Sequence, residues 1–239
     1  DKIDMMDASF CTTEPSSLNI PSKYKVFYIP NPVDESFEKL ENWMRKMGLN
    51  ENIPNAYEIW KKSNQAFRQG DVKLAKMYQN MNSLFHNSSI PYTITIGKEV
   101  SFSYGGIGLV IHFNSIIEDY ATIGSNVTLG GRGGSKLHYF LDDGTRMTVP
   151  RIGKYTYVAT GSKILGGVDV GACSIIGANS VVIDHVLPCS IMAGAPAKLI
   201  TRLTKDNFSK YKNNFIHFRN KSDEEIIQII QSYYNEQDV

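Results

Sequence analysis

A sixfold repeat of aliphatic residues runs through the middle of the chain and constrains the fold more than any other feature. From residue 152 the sequence divides into the blocks IGKYTY, VATGSK, ILGGVD, VGACSI and IGANSV, each of which opens on Ile or Val. The first positions of the blocks, before and after an interruption at 131–151, are Ile111, Ile117, Ile123, Leu129, Ile152, Val158, Ile164, Val170, Ile176 and Val182. Short repeats of this kind are typical of a β-solenoid, whereas an ordinary buried sheet does not predict a period of six.

The geometry of the repeat follows from strand spacing. Six residues supply one short strand and one corner, so three blocks make a triangular coil of about 18 residues, and stacked coils lie about 4.8 Å apart. The first residue of a block points inward and the second faces outward, because side chains alternate along a strand. The fifth residue sits at a tight corner and is small: Ser115, Ala121, Val127, Gly133, Thr156, Ser162, Val168, Ser174, Ser180 and Val186. Glycines beside the turns are expected to supply backbone freedom: Gly97, Gly124, Gly153, Gly171 and Gly177.

The flanking sequence predicts a further part on each side of the solenoid. Residues 1–90 form an N-terminal extension, mostly helical from about residue 34, with a short strand at KVFYI. Its apolar helix faces are Leu40, Trp43, Met44 and Met47, then Leu74, Met77, Met81, Leu84 and Phe85. Residues 91–202 form the solenoid with its loop at 131–151.

The C-terminal part, residues 203–239, is predicted to be a helical tail. Its helix begins with Ser222 as the N-cap, because acidic residues follow directly. The aliphatic face of Ile226, Ile227 and Ile230 is expected to cover the open end of the coil, where a strand edge would otherwise be unpaired.

Bulk composition excludes several classes of function. The 239 residues carry a net charge of +1, which argues against a general nucleic-acid or membrane-surface binder. No apolar run reaches the roughly 18 residues of a membrane span. The cysteines have no metal-like spacing and predict structural thiols in a reducing, cytoplasmic compartment: Cys11, Cys173 and Cys189.

Four stretches carry a resemblance to a known family: GIGLVIHFNSIIEDYATIGSNVTLGG, IGKYTYVATGSKILG, IIGANSVV and AGAPAKLI. Through them, residues 91–202 resemble the left-handed β-helix hexapeptide-repeat acyltransferases. The resemblance is closest to the serine acetyltransferases and the related sugar O-acetyltransferases of polysaccharide gene clusters. It implies a left-handed parallel β-helix, acyl transfer from acetyl-CoA, and a homotrimer with acetyl-CoA in the groove between neighbouring coils.

The resemblance also implies which residues bind the donor. Gly130 and Gly131 would lie near the thioester, and Thr160 and Ala178 would line the pantetheine arm with their backbone. Basic residues near the CoA phosphates would be Lys198 and Arg202, where a cation gains charge-assisted hydrogen bonds. No metal is expected.

Acetyl transfer to a hydroxyl needs a general base, because a free alcohol is a weak nucleophile near neutral pH. His112 is the first candidate, since it occupies the outward-facing second position of its block. Gly130 follows 18 residues later and should lie one coil above, so His112 is expected beneath the LGGRGG turn. His138 is the second candidate. The other histidines suit surface positions: His86, His185 and His217.

The sequence departs from the serine acetyltransferases at their active site. An ungapped match of GIGLVIHFNS puts that family's catalytic histidine at Gly105 and its neighbouring aspartate at Tyr104. The second active-site histidine falls at Val149, and the adjacent arginine at Thr148. A gapped match moves the first histidine onto His112 but costs about one repeat. The predicted acceptor is therefore a sugar or polysaccharide hydroxyl, in polysaccharide biosynthesis.

The interruption at 131–151, here called the excursion, is the predicted acceptor loop, because a break in a regular solenoid often carries function. Its candidates for binding a polyhydroxylated acceptor are Tyr139, Asp142, Asp143 and Arg146. The run Asp142-Asp143-Gly144 also suits a simple turn.

Three other functions stay open. One is serine O-acetylation. The second is a metal-dependent hydratase, since left-handed β-helices also host zinc sites of three histidines, but His112, His138 and His185 lack repeat-related spacing. The third is a non-catalytic scaffold with a degenerate site. Thioester consumption separates an enzyme from a scaffold, and metal analysis tests the hydratase.

Overall fold

The computed structural model describes residues 9–11, 26–28 and 53–234. The chain divides into two compact units, Asp1–Ile53 and Pro54–Val239. Each unit is described by itself below.

The first unit contains one short parallel pair of strands. Strand β1 (Ser9–Cys11) pairs with β2 (Val26–Tyr28). The strand predicted at KVFYI is thereby confirmed. The predicted helix face of Leu40, Trp43, Met44 and Met47 lies outside the described residues.

Two helices open the second unit, α1 (Ala56–Arg68) and α2 (Val72–His86). Of the apolar face predicted on α2, Leu84 is 67% exposed. Polar groups on another side anchor this helix instead. The Asn82 side-chain amide donates to the carbonyl of Ala56 at 3.1 Å, and His86 Nε2 lies 2.8 Å from the carbonyl oxygen of Pro54. His86 is therefore a buried structural histidine, and the surface position predicted for it is wrong.

The rest of the unit is a three-sided coil of parallel strands. The first side has the strand order β14-β11-β6-β3, the second β18-β17-β15-β12-β7-β4, and the third β16-β13-β8-β5. Their bounds are β3 (Thr95–Ile96), β4 (Ser101–Phe102), β5 (Val110–Ile111), β6 (Ile116–Ile117), β7 (Thr122–Ile123), β8 (Thr128–Gly130), β11 (Arg151–Ile152), β12 (Tyr157–Val158), β13 (Lys163–Leu165), β14 (Asp169–Val170), β15 (Ile175–Ile176), β16 (Val181–Val182), β17 (Ser190–Gly194) and β18 (Ala197–Arg202).

The interior of the coil is formed by the first residue of each block, as predicted. All ten of these side chains are at most 3% exposed, and they belong to one continuous core. Ile111 pairs with Leu129, 18 positions further along the chain, which is the coil length expected from the period.

The fifth positions do more than fit the corners. Nine of the ten are buried, the exception being Gly133, which already belongs to the excursion. Several also carry hydroxyl groups that join one coil to the next. Thr156 Oγ1 donates to the carbonyl of Gly171 at 2.9 Å, and Ser162 Oγ donates to that of Gly177 at 2.9 Å.

The glycines beside the turns are needed for a different reason from the one predicted. A Cβ at Gly124 would lie 2.5 Å from the backbone nitrogen of Thr160, and one at Gly153 would lie 2.7 Å from that of Ala172. These glycines therefore permit close approach of neighbouring coils. Left-handed backbone conformations occur elsewhere, in a corner column with φ of 53–62°: Glu99, Tyr120, Tyr155, Cys173 and Cys189.

The excursion leaves the coil and returns to it in register. Leu129 pairs with Ile164, 35 positions further along, so 17 residues are added without disturbing the stacking. Within the excursion, β9 (Tyr139–Phe140) and β10 (Arg146–Met147) form an antiparallel hairpin.

The C-terminal end of the coil is closed in two ways. Strand β18 folds back antiparallel on β17 and pairs the last strand edge. Helix α3 (Asp223–Ser232) begins at Ser222 with a capping box to Glu225, which confirms the predicted N-cap. Its Ile226 and Ile230 pack in one cluster with outward-facing residues of β15 and β17, so the helix covers a side of the coil and not its open end.

Short 3₁₀ turns complete the described chain: Ser103–Gly106, Phe208–Lys210, Lys212–Asn214 and Ile216–Phe218. Among the helices within residues 53–234, none combines the length and the apolar character that crossing a membrane requires.

Candidate active site

His112 lies on the outer surface of the third side of the coil. Its neighbour Ile111 is buried in the core, while His112 is partly exposed. The backbone N–H of His112 donates to the carbonyl of Leu129 at 2.8 Å, so Gly130 stands one coil above it. The position predicted for His112 beneath the LGGRGG turn is therefore confirmed.

The His112 ring has a defined hydrogen-bonding state. The backbone N–H of Asn114 donates to His112 Nδ1 at 3.2 Å, and the ring stacks on Phe113 with centroids 4.3 Å apart. Because Nδ1 accepts this bond, the neutral imidazole carries its hydrogen on Nε2. Nε2 is thus a donor until the ring changes tautomer.

His112 opens into a cavity of about 480 Å³, here called the His112 cavity. The cavity brings His112 together with the start of the excursion and with its returning strand. Its lining is His112, Asn114, Gly131, Arg132, Gly133, Ser135, Arg146, Met147, Thr148 and Val149. Two guanidinium groups line it and no carboxylate does.

The second candidate base, His138, lies on the other side of the excursion. Its Nδ1 is 2.9 Å from the carbonyl oxygen of Lys136, so Nδ1 carries the hydrogen and Nε2 keeps its lone pair. Arg146 Nη2 lies 3.5 Å from the same Nδ1. Arg146 thus spans the wall that separates His138 from the His112 cavity.

His138 faces a second cavity of about 500 Å³, here called the Tyr139 cavity. Its floor is the outer surface of the first side of the coil, where Gly153 and Gly171 leave room. Its full lining is Glu118, His138, Tyr139, Arg151, Gly153, Asp169, Gly171, Ala172, His185, Val186, Leu187, Pro188 and Tyr233.

An ion-pair network crosses the floor of the Tyr139 cavity. Arg151 donates from Nε and Nη2 to the two carboxylate oxygens of Asp169 at 2.8 and 2.9 Å, and its Nη1 is 3.5 Å from Glu118 Oε1. The guanidinium lies 5.7 Å from the ring centroid of Tyr139. Burial raises the pKa of Tyr139 to about 12, and the charge of Asp169 adds to the effect.

The two aspartates of the excursion form a turn. Asp143 Oδ1 accepts the backbone N–H of Thr145 at 2.9 Å, within the loop that joins β9 to β10. Hydrogen bonds from Thr145 lower the pKa of Asp143. Asp142 is exposed in the same turn, and neither carboxylate lines the His112 cavity or the Tyr139 cavity.

Most residues expected to bind the donor border one surface. Gly130 ends β8 and pairs with Leu165 on the third side of the coil, and Gly131 follows in the open turn. Thr160 and Ala178 stand at the corner where that side begins, one coil apart. They are bonded through the Asn179 N–H to Thr160 carbonyl contact at 2.9 Å.

The two basic residues of the expected CoA site are separated. Lys198 is exposed and lies opposite Ala193, near the corner of Thr160 and Ala178. Arg202 is at the other end of β18, with its guanidinium 5.3 Å from the ring centroid of Tyr234. The structure does not bring Arg202 to the surface bordered by the other four residues.

The positions matched to the family's active-site residues hold no imidazole. Gly105 and Tyr104 lie in the extra turn Ser103–Gly106, and Tyr104 is 77% exposed. Val149 is buried, and Thr148 lines the His112 cavity. Within the part of the chain that the structure describes, no three His, Cys, Asp or Glu side chains come together as a metal site.

Sequence reasoning missed Arg132 and the network of Arg151 with Asp169 and Glu118. Arg132 carried a readable signal, because it directly follows the two glycines expected at the thioester. The network carried a weaker signal: Arg151 and Asp169 are 18 residues apart and therefore stack in adjacent coils.

Fold and site together define a class: a three-sided parallel coil of hexapeptide blocks with an outward-facing histidine beside a glycine-rich turn. No protein-family model matches the chain. It is 31% identical over 152 residues to the serine acetyltransferase of Escherichia coli K12, which covers 64% of this chain and 52% of that protein. The serine acetyltransferase of Haemophilus influenzae is 30% identical over 148 residues, covering 62% and 52%.

Solved structures give the same family. The serine acetyltransferase of Brucella abortus in complex with coenzyme A has a TM-score of 0.54 and 30% identity, covering 62% of this chain and 55% of that chain. A serine acetyltransferase in complex with cysteine has a TM-score of 0.53 and 29% identity, covering 62% and 53%. This chain is therefore similar to the serine acetyltransferases, and that part of the predicted resemblance is confirmed. A special closeness to sugar O-acetyltransferases is not among the findings. The chain spans about half the length of the curated relatives it matches.

Proposed function

We propose that this chain is an acetyl-CoA-dependent O-acetyltransferase. The observation that carries the proposal is the position of His112, which faces outward beneath the glycine-rich turn of a coil similar to the serine acetyltransferases. The coil is proposed to be left-handed and the assembly a homotrimer, as the resemblance implies. Gly130, Gly131, Thr160 and Ala178 would border acetyl-CoA. Lys198 would face its phosphates.

In the proposed reaction the acceptor hydroxyl oxygen attacks the thioester carbonyl carbon, and the carbon–sulfur bond breaks. The hydroxyl proton passes to His112 Nε2 and then to the CoA thiolate. For Nε2 to accept it, the ring must change tautomer and give up the Asn114 bond, which costs about 1 kcal/mol. A general base contributes about 10²–10⁴-fold, or about 2.7–5.5 kcal/mol, so the gain exceeds the cost.

L-Serine is the acceptor that the comparisons favour over a sugar. The His112 cavity supports an acceptor with a negative group, because Arg132 and Arg146 line it without a carboxylate. Within residues 53–234, neither guanidinium forms an ion pair. A sugar hydroxyl remains the second candidate, since the positions matched to the family's serine-recognising residues are occupied by Tyr104, Gly105, Thr148 and Val149.

Acetyl-CoA consumption by the purified chain tests the proposal directly. CoA release is measured with L-serine, with neutral monosaccharides and with uronic acids as acceptors. Release that depends on L-serine supports the amino-acid reading, and release with sugars alone reverses the acceptor. The absence of release with every acceptor would contradict the proposed activity and favour a scaffold.

Removing the charge of Arg132 or Arg146 is expected to weaken acceptor binding. Arg132→Gln and Arg146→Gln should each raise KM for a carboxylate-bearing acceptor by about tenfold or more, because a hydrogen bond to a charged group contributes about 1.5–3 kcal/mol. Initial rates over a range of acceptor concentrations provide the measurement. Lys136→Gln is the matched control, since Lys136 is exposed in the same loop and does not line the cavity. An equal rise in the control would show a general effect of charge.

Deleting residues 134–148 is expected to abolish acceptor use while CoA binding persists. The excursion supplies most of the wall on the acceptor side, whereas the donor residues belong to the coil, which keeps its register across the excursion. CoA binding by calorimetry and acetyl transfer by CoA release would be measured on the same preparation. Equal loss of both would remove the excursion from the acceptor site.

A further inference from the structure

Tyr139 is a buried side chain with an unused hydrogen-bonding group. It is 8% exposed, and its hydroxyl finds no hydrogen-bond partner among the described residues. A buried polar group without a partner costs about 1–3 kcal/mol, so its presence calls for a ligand or another gain. The raised pKa keeps this phenol protonated and therefore a donor.

Two histidines give the same cavity one further donor and one acceptor. His185 Nδ1 accepts the backbone N–H of Asp169 at 3.1 Å, which leaves Nε2–H as its free donor. His138 is bonded through Nδ1 to the Lys136 carbonyl, which leaves the Nε2 lone pair as an acceptor. The Tyr139 cavity thus offers donors and an acceptor together.

The charges and the remaining walls narrow the class of ligand. Arg151 is held by Asp169 in a two-point ion pair and also faces Glu118, so the lining carries no surplus positive charge for an anion. Leu187, which is exposed, and Pro188 add an apolar wall. A volume of about 500 Å³ lies in the range of small-molecule sites.

We propose that the Tyr139 cavity is a binding site for a neutral, polyhydroxylated molecule of the monosaccharide class. Each hydroxyl of such a ligand both donates and accepts, and so pairs with Tyr139, His185 and His138. The apolar face of the sugar ring lies against Leu187 and Pro188. This site lies across the excursion from the His112 cavity and does not depend on the proposed acetyl transfer.

Binding is tested on the full chain by saturation-transfer NMR titration with D-glucose and N-acetyl-D-glucosamine, and with D-glucuronate as the charged counterpart. We expect the neutral sugars to bind and glucuronate to bind more weakly. Tyr139→Phe should weaken neutral-sugar binding by about tenfold, which corresponds to one lost hydrogen bond. Tyr104→Phe, at an exposed tyrosine, is the matched control and should leave binding unchanged.

The thermal midpoint of the same variants gives an independent readout. Because the Tyr139 hydroxyl has no partner within the described chain, Tyr139→Phe should unfold at the same temperature or about 2–4 °C higher. No binding of any probe by the unaltered chain, unchanged binding in Tyr139→Phe, or a lower midpoint in that variant would each overturn the proposal. A change of oligomeric mass in Tyr139→Phe would also overturn it, since the cavity would then belong to a contact between copies.

Discussion

Replacing His112 with alanine is expected to lower kcat for acetyl transfer by about 10²–10⁴-fold. The reason is that His112 is the titratable side chain that faces outward beside the Gly131 turn, where the thioester is proposed to lie. The fold should persist, because the ring is partly exposed and its side-chain hydrogen bond is the local one from Asn114. The rate of CoA release at saturating acetyl-CoA and acceptor measures the loss, and the unfolding midpoint checks the fold.

His138→Ala is the matched comparison for this variant. His138 is also partly exposed and also lies beside the excursion, but it faces the Tyr139 cavity. Its loss should change kcat far less than the loss of His112. Full activity in His112→Ala together with inactivity in His138→Ala would move the general base to His138, whose Nε2 lone pair needs no change of tautomer.

Replacing Ile164 with alanine is expected to lower the free energy of unfolding by about 2–5 kcal/mol. Ile164 is fully buried in β13, between Leu129 in the coil below and Val182 in the coil above. Alanine there leaves a cavity that the stacked neighbours cannot fill, because hydrogen bonds between coils hold them at a fixed spacing. Urea unfolding followed by circular dichroism measures the change.

Ile200→Ala is the control for this substitution. The same methylene groups are removed, but Ile200 is 63% exposed on β18. Its effect should stay within about 0.5 kcal/mol, as for other surface positions. Similar losses in the two variants would mean that the predicted inward column does not carry the stability of the coil.

The regular part of the molecule could be predicted from sequence because one period determines it. Counting by six placed Ile164 in the core, and counting by eighteen placed Gly130 above His112. The reason for the glycines was misread, since a sequence shows that a residue is small but not that a neighbouring backbone passes within 2.7 Å of its Cβ position, as at Gly153.

The site was less predictable wherever the count breaks. The excursion brought Arg146 to the His112 cavity as a wall residue, but its hairpin turned Asp142 and Asp143 away into a loop tip. The split of the excursion between two cavities depends on the path of the chain off the coil. No period encodes that path.

The return of the chain to register after the excursion has a consequence for how such a protein can change. In a stacked coil each layer contacts its neighbours, so stability is a sum over adjacent layers. An insertion between Leu129 and Ile164 that re-enters in register leaves every term of that sum in place. The loop can therefore be lengthened, shortened or exchanged as a cassette, and the repertoire of small molecules recognised at its two flanks can diversify while the scaffold stays constant.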